Sequence, residues 1–287
     1  MNIRQAIEDA TARLSEASDS ARLDAEVLLS HVLHCDRSHF IAWPDKELQT
    51  DQLEQFASLL EKRINGTPIA YLTGTREFWS LDMAVSEHTL IPRPETETLV
   101  EYVLEHFPAD LSFKLLDAGT GSGAIAIAIA SERPGWELVA SDIDEASVQL
   151  AQANAVKHGI DNITFQHSDW FDEIEQRDFD IIISSPPYIA EQDPHLSRGD
   201  VRFEPRRALT SGTHGMDAIE HLCHHAVKHL KPGGRLIVEH GYDQAGSVYE
   251  CFGRNGFINI EQTCDLGGHI RMTAGRVTAV TRQDHGG

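Results

Sequence analysis

Apolar positions in the first seventy residues recur at helical spacing. Ile3, Ala6, Ile7, Ala10 and Leu14 form one stripe. Leu23, Val27, Leu28 and Leu33 form a second after a Ser/Asp-rich break. A third, Leu53, Phe56, Leu60 and Ile64, follows Asp51 and Glu54, which have the spacing of a capping box and predict a helix start at Asp51. Gly66 supplies a C-terminal stop, and Pro68 prevents continuation. From Tyr71 to about Pro94 the texture changes to short aromatic and β-branched stretches punctuated by Gly74, Pro92 and Pro94. These predict a hairpin-like linker, followed by a helix from about Glu95 to His106.

From Phe113 onward, strand and helix patterns alternate, which predicts a parallel sheet with crossover helices. Strands are expected at 113–118, 137–142, 163–167, 179–184 and 235–240, and helices at 123–131, 144–158, 215–230 and 243–254. Two last strands, near 257–263 and 274–281, are joined by a short connection holding Gly267 and Gly268. That connection is too short for a crossover helix, so the pair should be antiparallel. The fold class is therefore α/β, and a mostly parallel sheet closing with an antiparallel pair resembles the class I (Rossmann-like) methyltransferase domain, although topology alone gives no chemistry. The expected division is a helical domain at 1–72, a linker at 73–94 and the α/β domain at 95–287, with a loose tail from Gln283.

Charge narrows the partners. The chain holds 24 basic and 45 acidic residues, a net charge of −21 with histidines neutral. Such a field repels phosphate backbones and anionic membranes, so neither nucleic acid nor a membrane is expected as a partner. The part through Val85 carries 8 basic and 14 acidic residues, so it is no basic clamp. The longest apolar run, Ala124 to Ala130, is far short of the roughly 20 residues of a membrane span, and the N-terminus lacks an apolar signal core. Cys35, Cys223, Cys251 and Cys264 form no CxxC pair, and the 16 histidines form no metal-ligand spacing. A soluble, monomeric, cytoplasmic protein without a bound metal is expected.

The first chemical motif runs from Asp117 through Ala118 to Gly119, Thr120, Gly121, Ser122 and Gly123, at a strand-to-helix junction. Glycines there permit a tight turn and close approach to a ligand, while the helix N-terminus offers unpaired N–H groups. Gly119, Gly121 and Ala124 equally fit a dinucleotide fingerprint, so the loop by itself does not separate S-adenosylmethionine from NAD. Asp142 ends the second strand and is placed to accept hydrogen bonds from ribose hydroxyls in either case. Asp144 suits the N-cap of the next helix. Asp169 and Trp170 follow the third strand, either reading an adenine edge or forming a loop aspartate beside a core tryptophan.

The separating motif is Ser185-Pro186-Pro187-Tyr188, at the end of the fourth strand. In doubly wound sheets, ligands bind beyond the carboxyl ends of the strands. Consecutive prolines fix φ and carry no N–H, leaving a rigid run of carbonyls. A planar nitrogen is a poor nucleophile because its lone pair is delocalised. Two acceptors for its N–H hydrogens, with an aromatic face against its plane, orient it for attack. Ser185 touches both the acceptor and the cofactor regions in this reading, and Pro186, Pro187 and Tyr188 complete the catalytic set.

On these residues the chain resembles the bacterial release-factor glutamine methyltransferases of the PrmC/HemK family over nearly its whole length. The resemblance also includes Arg22 to Glu26, Thr73 to Trp79, Leu90 to Glu97, Ser168 to Phe171 and Asp200 to Pro205. It implies methyl transfer from S-adenosylmethionine to the side-chain amide of the glutamine in the Gly-Gly-Gln loop of peptide chain release factors, with an N-terminal helical domain that docks the substrate. One departure stands out: the family motif begins with asparagine where this chain has Ser185. In the family, that asparagine and the next proline carbonyl receive the glutamine NH2. A serine hydroxyl is about one bond shorter and can donate as well as accept. Two alternatives stay open: a DNA methyltransferase acting on the cytosine amine, which also carries Ser-Pro-Pro-Tyr, and a cofactor-binding partner attenuated by Ser185. Arg198, Arg202, Arg206 and Arg207, interleaved with Asp200 and Glu204, suggest an ion-paired loop and not a DNA-reading face.

Overall fold

The computed structural model describes residues 1–278 of the 287. It comprises two units: Met1–Thr75 with Pro194–Phe203, and Arg76–Asp193 with the chain from Glu204 onward. Among the described residues, no helix is long and apolar enough to cross a membrane. All four cysteines are free thiols.

The first unit is helical, with α1 (Ile3–Leu14), α2 (Ala21–Leu33), α3 (Ser38–Ala42), α4 (Thr50–Ile64) and α5 (Ile69–Thr73). A reciprocal capping box starts α1: the Asn2 side chain accepts from Gln5 N at 2.9 Å, and Gln5 Oε1 accepts from Asn2 N at 3.1 Å. Its predicted stripe, Ile3 to Leu14, is fully inward. The α2 stripe is rotated from the expectation, because Leu23 is 44% exposed while Asp24, Ala25, Leu28, Leu29 and Val32 are buried. The α4 box is also displaced. Gln49 and Gln52 form it, with Gln52 Oε1 accepting from Gln49 N at 3.0 Å, so the helix begins at Thr50. Asp51 therefore sits inside the first turn, where its charge suits the helix dipole.

A buried ion pair explains the rotation of α2. Arg63 Nε donates to Asp24 Oδ2 at 2.7 Å, and Arg63 Nη1 donates to Asp200 Oδ1 at 2.7 Å. Asp24 also accepts from Ser18 and Ser20 hydroxyls at 2.8 and 2.9 Å, so its charge is satisfied inside the helical core. Turning Leu23 inward instead would expose that network.

Starting at the boundary of the two units, β1 (Thr75–Phe78) and β2 (Leu81–Ala84) form the expected hairpin. Its two-residue turn, Trp79-Ser80, has φ of 54° and 58°, the left-handed pair that usually calls for Asn-Gly. Trp79 is held there by hydrogen bonds from its N–H to Glu97 at 2.9 Å and from its indole to Glu132 at 3.0 Å. After α6 (Glu97–His106) come β3 (Lys114–Ala118), α7 (Ala124–Glu132), β4 (Glu137–Asp142), α8 (Glu145–Lys157), β5 (Ile163–His167) and β6 (Phe179–Ser184). Then follow α9 (Arg206–Leu209), α10 (Asp217–Ala226), β7 (Leu230–Glu239), α11 (Ala245–Arg254), β8 (Ile258–Cys264) and β9 (Ile270–Arg276).

The seven strands run in the order β5-β4-β3-β6-β7-β9-β8, parallel through β7 and antiparallel at β7–β9 and β8–β9. Successive strand residues enter opposite cores: Leu115, Ile181 and Ile183 join α6 and α7 on one face, while Leu116 and Ile182 join α10 and α11 on the other. Burial on both faces is why these strands read as continuous apolar runs. The last strand starts earlier than expected, at Ile270, because Asp265 N–H bonds to His269 O at 2.8 Å and closes the turn there. The end of the expected 274–281 strand and the tail from Gln283 lie outside the described residues.

Replacing Arg63 with Met removes the cation and leaves Asp24 buried without its ion pair. Breaking a buried pair from one side costs about 3–5 kcal/mol. Urea unfolding of Arg63→Met should show that loss against the parent chain, and an unchanged midpoint would contradict it.

Candidate active site

Parallel pairing of β3 with β6, Asp117 opposite Ile183, sets the ends of these strands side by side. From β3 the sheet grows outward through β4 and β5, and then restarts from β6 on the other side. That reversal opens a crevice beyond the carboxyl ends of β3 and β6. A cavity of about 460 Å³ lies there.

Its first wall is the glycine loop. Gly119, Gly121 and Gly123 all have positive φ, at 80°, 56° and 84°. A Cβ on Gly123 would lie 2.9 Å from Ile127 Cδ1 and 3.0 Å from Ala151 Cβ, so α7 meets α8 only where that side chain is missing. Gly119 N and Thr120 N both donate to Ser141 O, at 2.9 and 2.8 Å. Asp142 shapes the loop directly: Oδ2 accepts from Gly121 N and Oδ1 from Asp144 N, each at 2.9 Å. A carboxylate offers about four lone-pair sites, so two remain for a ligand. Burial raises the Asp142 pKa, opposed by the Asp144 and Gly121 N–H groups. Asp144 is the N-cap of α8, accepting from Ser147 N at 3.1 Å, and its Oδ2 pairs with Arg207 at 2.7 Å.

Gly119, Thr120, Gly121, Ser122, Asp142, Asp169 and Trp170 line the cavity together with Ser185, Pro186 and Pro187. The Trp170 ring lies close to Gly119, where a Cβ would meet it at 3.5 Å. Ser184 Oγ donates to Ala118 O at 2.6 Å and ties the two strand ends beneath these loops.

Two expected residues do not reach the cavity. Gly123 is the N-cap residue of α7, spent on helix packing. Tyr188 is held at two atoms: its hydroxyl donates to Glu239 Oε1 at 3.3 Å, and its carbonyl accepts from Gln244 Nε2 at 2.9 Å. The Ser185–Tyr188 loop is therefore anchored through Tyr188. The nearby Glu239 charge and then burial push the Tyr188 pKa up.

His221 also lines the cavity and carried no distinct sequence signal. Glu204 is a different case. Its Oε2 accepts from Ile91 N at 3.0 Å and its Oε1 from the Arg93 guanidinium, joining the Leu90–Glu97 and Asp200–Pro205 stretches. The resemblance singled out both stretches, but not their meeting. Of the four loop arginines, Arg207 pairs with Asp144, whereas the Arg202 guanidinium sits 4.9 Å from the centre of the Phe203 ring.

Asp117 lies beneath the loop, fully buried, with Thr120 Oγ1 donating to its Oδ2 at 2.6 Å. Burial pushes its pKa from 3.8 up to about 7, and the Asp142 charge adds to the rise. Across that window the folded chain keeps a proton that the unfolded chain has lost. Its stabilising contribution is complete below about pH 4 and is lost as pH rises through about 7. The parent chain should therefore lose stability relative to Asp117→Asn between those limits, as read from melting temperatures. Parallel pH profiles would show that Asp117 does not titrate there.

Residues 5–74 match the PrmC N-terminal domain, and residues 96–201 match the methyltransferase small domain. The chain is 48% identical over 261 residues to a release factor glutamine methyltransferase of Salmonella typhimurium, covering 91% of this chain and 94% of that protein. Identity to the protein of the same name from Escherichia coli is 47% with the same coverage. A methyltransferase of solved structure from Pyrococcus furiosus shares the fold, with a TM-score of 0.53 at 17% identity over 77% of this chain and 99% of that one. With both domain types in order and near-half identity along nine-tenths of its length, the chain belongs to the release factor glutamine methyltransferase family.

Proposed function

We propose that this chain transfers a methyl group from S-adenosylmethionine to the side-chain amide nitrogen of the glutamine in the Gly-Gly-Gln loop of peptide chain release factors, in the cytoplasm, in support of translation termination. One observation carries the reading: the glycine loop and Ser185-Pro186-Pro187 line a single cavity beyond the paired ends of β3 and β6. The net charge of −21 disfavours a nucleic-acid substrate.

The residues fit this donor. A volume of about 460 Å³ is in the range of small-molecule sites, and the loop is bare of Cβ atoms where a ligand must approach. Asp142 retains lone pairs that ribose hydroxyls would fill, and Asp169 and Trp170 line the same cavity, which supports their reading an adenine there. When bound, S-adenosylmethionine supplies a methyl group on a positively charged sulfur. Ser185 Oγ and the Pro186 carbonyl receive the two N–H hydrogens of the acceptor amide and fix its plane. Fixing the plane aligns the nitrogen lone pair, the step an amide cannot perform well in water. The nitrogen gains the methyl group and then releases one proton to solvent, so no general base is required before attack.

Mass spectrometry of a release factor incubated with the chain and S-adenosylmethionine tests this. One added methyl group on the Gly-Gly-Gln glutamine is expected, and no gain at that residue would overturn the reading. Ser185→Asn lengthens the first acceptor by one bond and should raise the single-turnover rate roughly 10- to 100-fold, with cofactor affinity little changed. An Asn form no faster than the parent would mean that the hydroxyl already holds the amide.

The helical unit is proposed to dock the protein substrate. It displays Ile41 at 86% exposure and Trp43 at 61%, an apolar pair that its own core leaves uncovered. Replacing Ile41 with Asp and Trp43 with Ala should raise KM for the intact release factor several-fold while leaving methylation of a short Gly-Gly-Gln peptide unchanged. An equal loss on both substrates would place the defect in the catalytic unit.

A further inference from the structure

Glu239 ends β7, one residue beyond the Ser184–Val238 register pair, and so lies across from the first residue of the acceptor loop. Its residue exposure is 2%. The hydroxyls of Thr96, Ser185 and Tyr188 face its carboxyl group, and with the Arg271 charge they oppose the upward push of burial on its pKa. Tyr188 is bound to Oε1 at 3.3 Å. Among the described residues, Glu239 Oε2 is buried and has no hydrogen-bond partner. A buried carboxylate oxygen without a donor is costly and calls for a reason.

Ser185 supplies one. A hydroxyl carries one proton and two lone pairs, whereas a substrate NH2 brings only donors. Left to itself, the Ser185 proton competes with the amide hydrogens for the same space. A side-chain amide at this position would offer a carbonyl and avoid the conflict, but serine must first dispose of its proton.

We propose that Glu239 is a positioning residue for the methyl acceptor, its free Oε2 taking the Ser185 hydroxyl hydrogen bond so that only lone pairs of Ser185 face the incoming amide. The proton stays on the serine oxygen throughout; nothing is transferred. The carboxylate acts through Ser185 and does not touch the substrate. Oε1 meanwhile holds Tyr188, so one buried side chain fixes both ends of the four-residue loop. The inference rests on the methyl-transfer reading above and adds the residue that makes a serine work there.

The test is a double-mutant cycle in the full chain, with single-turnover methylation of a release factor at saturating S-adenosylmethionine. Glu239→Gln keeps the shape but presents an N–H to the hydroxyl. It should slow the Ser185 protein at least about 10-fold, the scale of lost positioning. In a Ser185→Ala background the same change should cost less than about 2-fold, because its target is gone. Glu239→Gln should leave cofactor affinity unchanged within each background. Equal slowing in both backgrounds, or a matching loss of cofactor affinity, would overturn the proposal in favour of a general structural role. If Glu239→Gln does not fold, Glu239→Asp, which withdraws the carboxylate by one bond, enters the same cycle with the same two outcomes. A parent chain that methylates no release factor refutes the proposed function itself, whereas a methylating parent without the coupling refutes only the role of Glu239.

Discussion

The parallel pairing of β3 with β6 is the constraint on which the site depends. These strands are not consecutive; the chain builds β4 and β5 before it returns to lie beside β3. That return brings two loops, 66 residues apart at Ala118 and Ser184, within one hydrogen bond of each other. Neither loop is a site alone. The glycine loop is a place for an anionic or polar ligand, and the proline loop is a rigid row of acceptors. Only the register of the two strands makes them walls of one cavity, and apolar burial on both sheet faces fixes that register against slippage.

Around this junction the protein holds carboxylates where burial disfavours their charge. Asp117 and Glu239 are both buried, one under each loop, and burial pushes both pKa values upward. Their partners differ in a telling way. Asp117 is answered by Thr120, a member of the loop it supports, while Glu239 meets hydroxyls from two parts of the chain, Thr96 and the Ser185–Tyr188 loop. Each carboxylate thus orients a loop from below, leaving the upper surface to the ligand. Such polar contacts add little net stability, but in a low-dielectric setting they select one loop conformation over its neighbours.

Much of this was legible in sequence for physical reasons. Alternating helix and strand patterns, the glycine loop and the proline loop are local signals, and the strands, buried on both faces, announce themselves as apolar runs. What stayed hidden depended on partners distant in sequence. Leu23 has the right spacing to be inward, yet a buried Arg63 draws Asp24 inward instead and turns the helix. Asp51 and Glu54 have the capping spacing, but Gln49 and Gln52 form the box two residues earlier. Tyr188 belongs to the motif by position, but its hydroxyl is held by a glutamate 51 residues away. No local pattern announces such a partner, because a single buried acid looks like any other acid in the sequence.

The segment that follows the acceptor loop shows how one stretch can serve two units. Pro194–Phe203 belongs to the helical unit, where Asp200 accepts from the buried Arg63. Glu204 belongs to the sheet unit, where it accepts from Ile91 N and Arg93 at the start of the cavity wall. Asp200, bound within the proposed docking unit, and Glu204, bound within the sheet unit, are four positions apart. Both anchors are carboxylates that accept a charge-assisted hydrogen bond from a guanidinium group. Within the Asp200–Pro205 stretch, Asp200 and Glu204 are thus each engaged by a guanidinium group from elsewhere in its own unit.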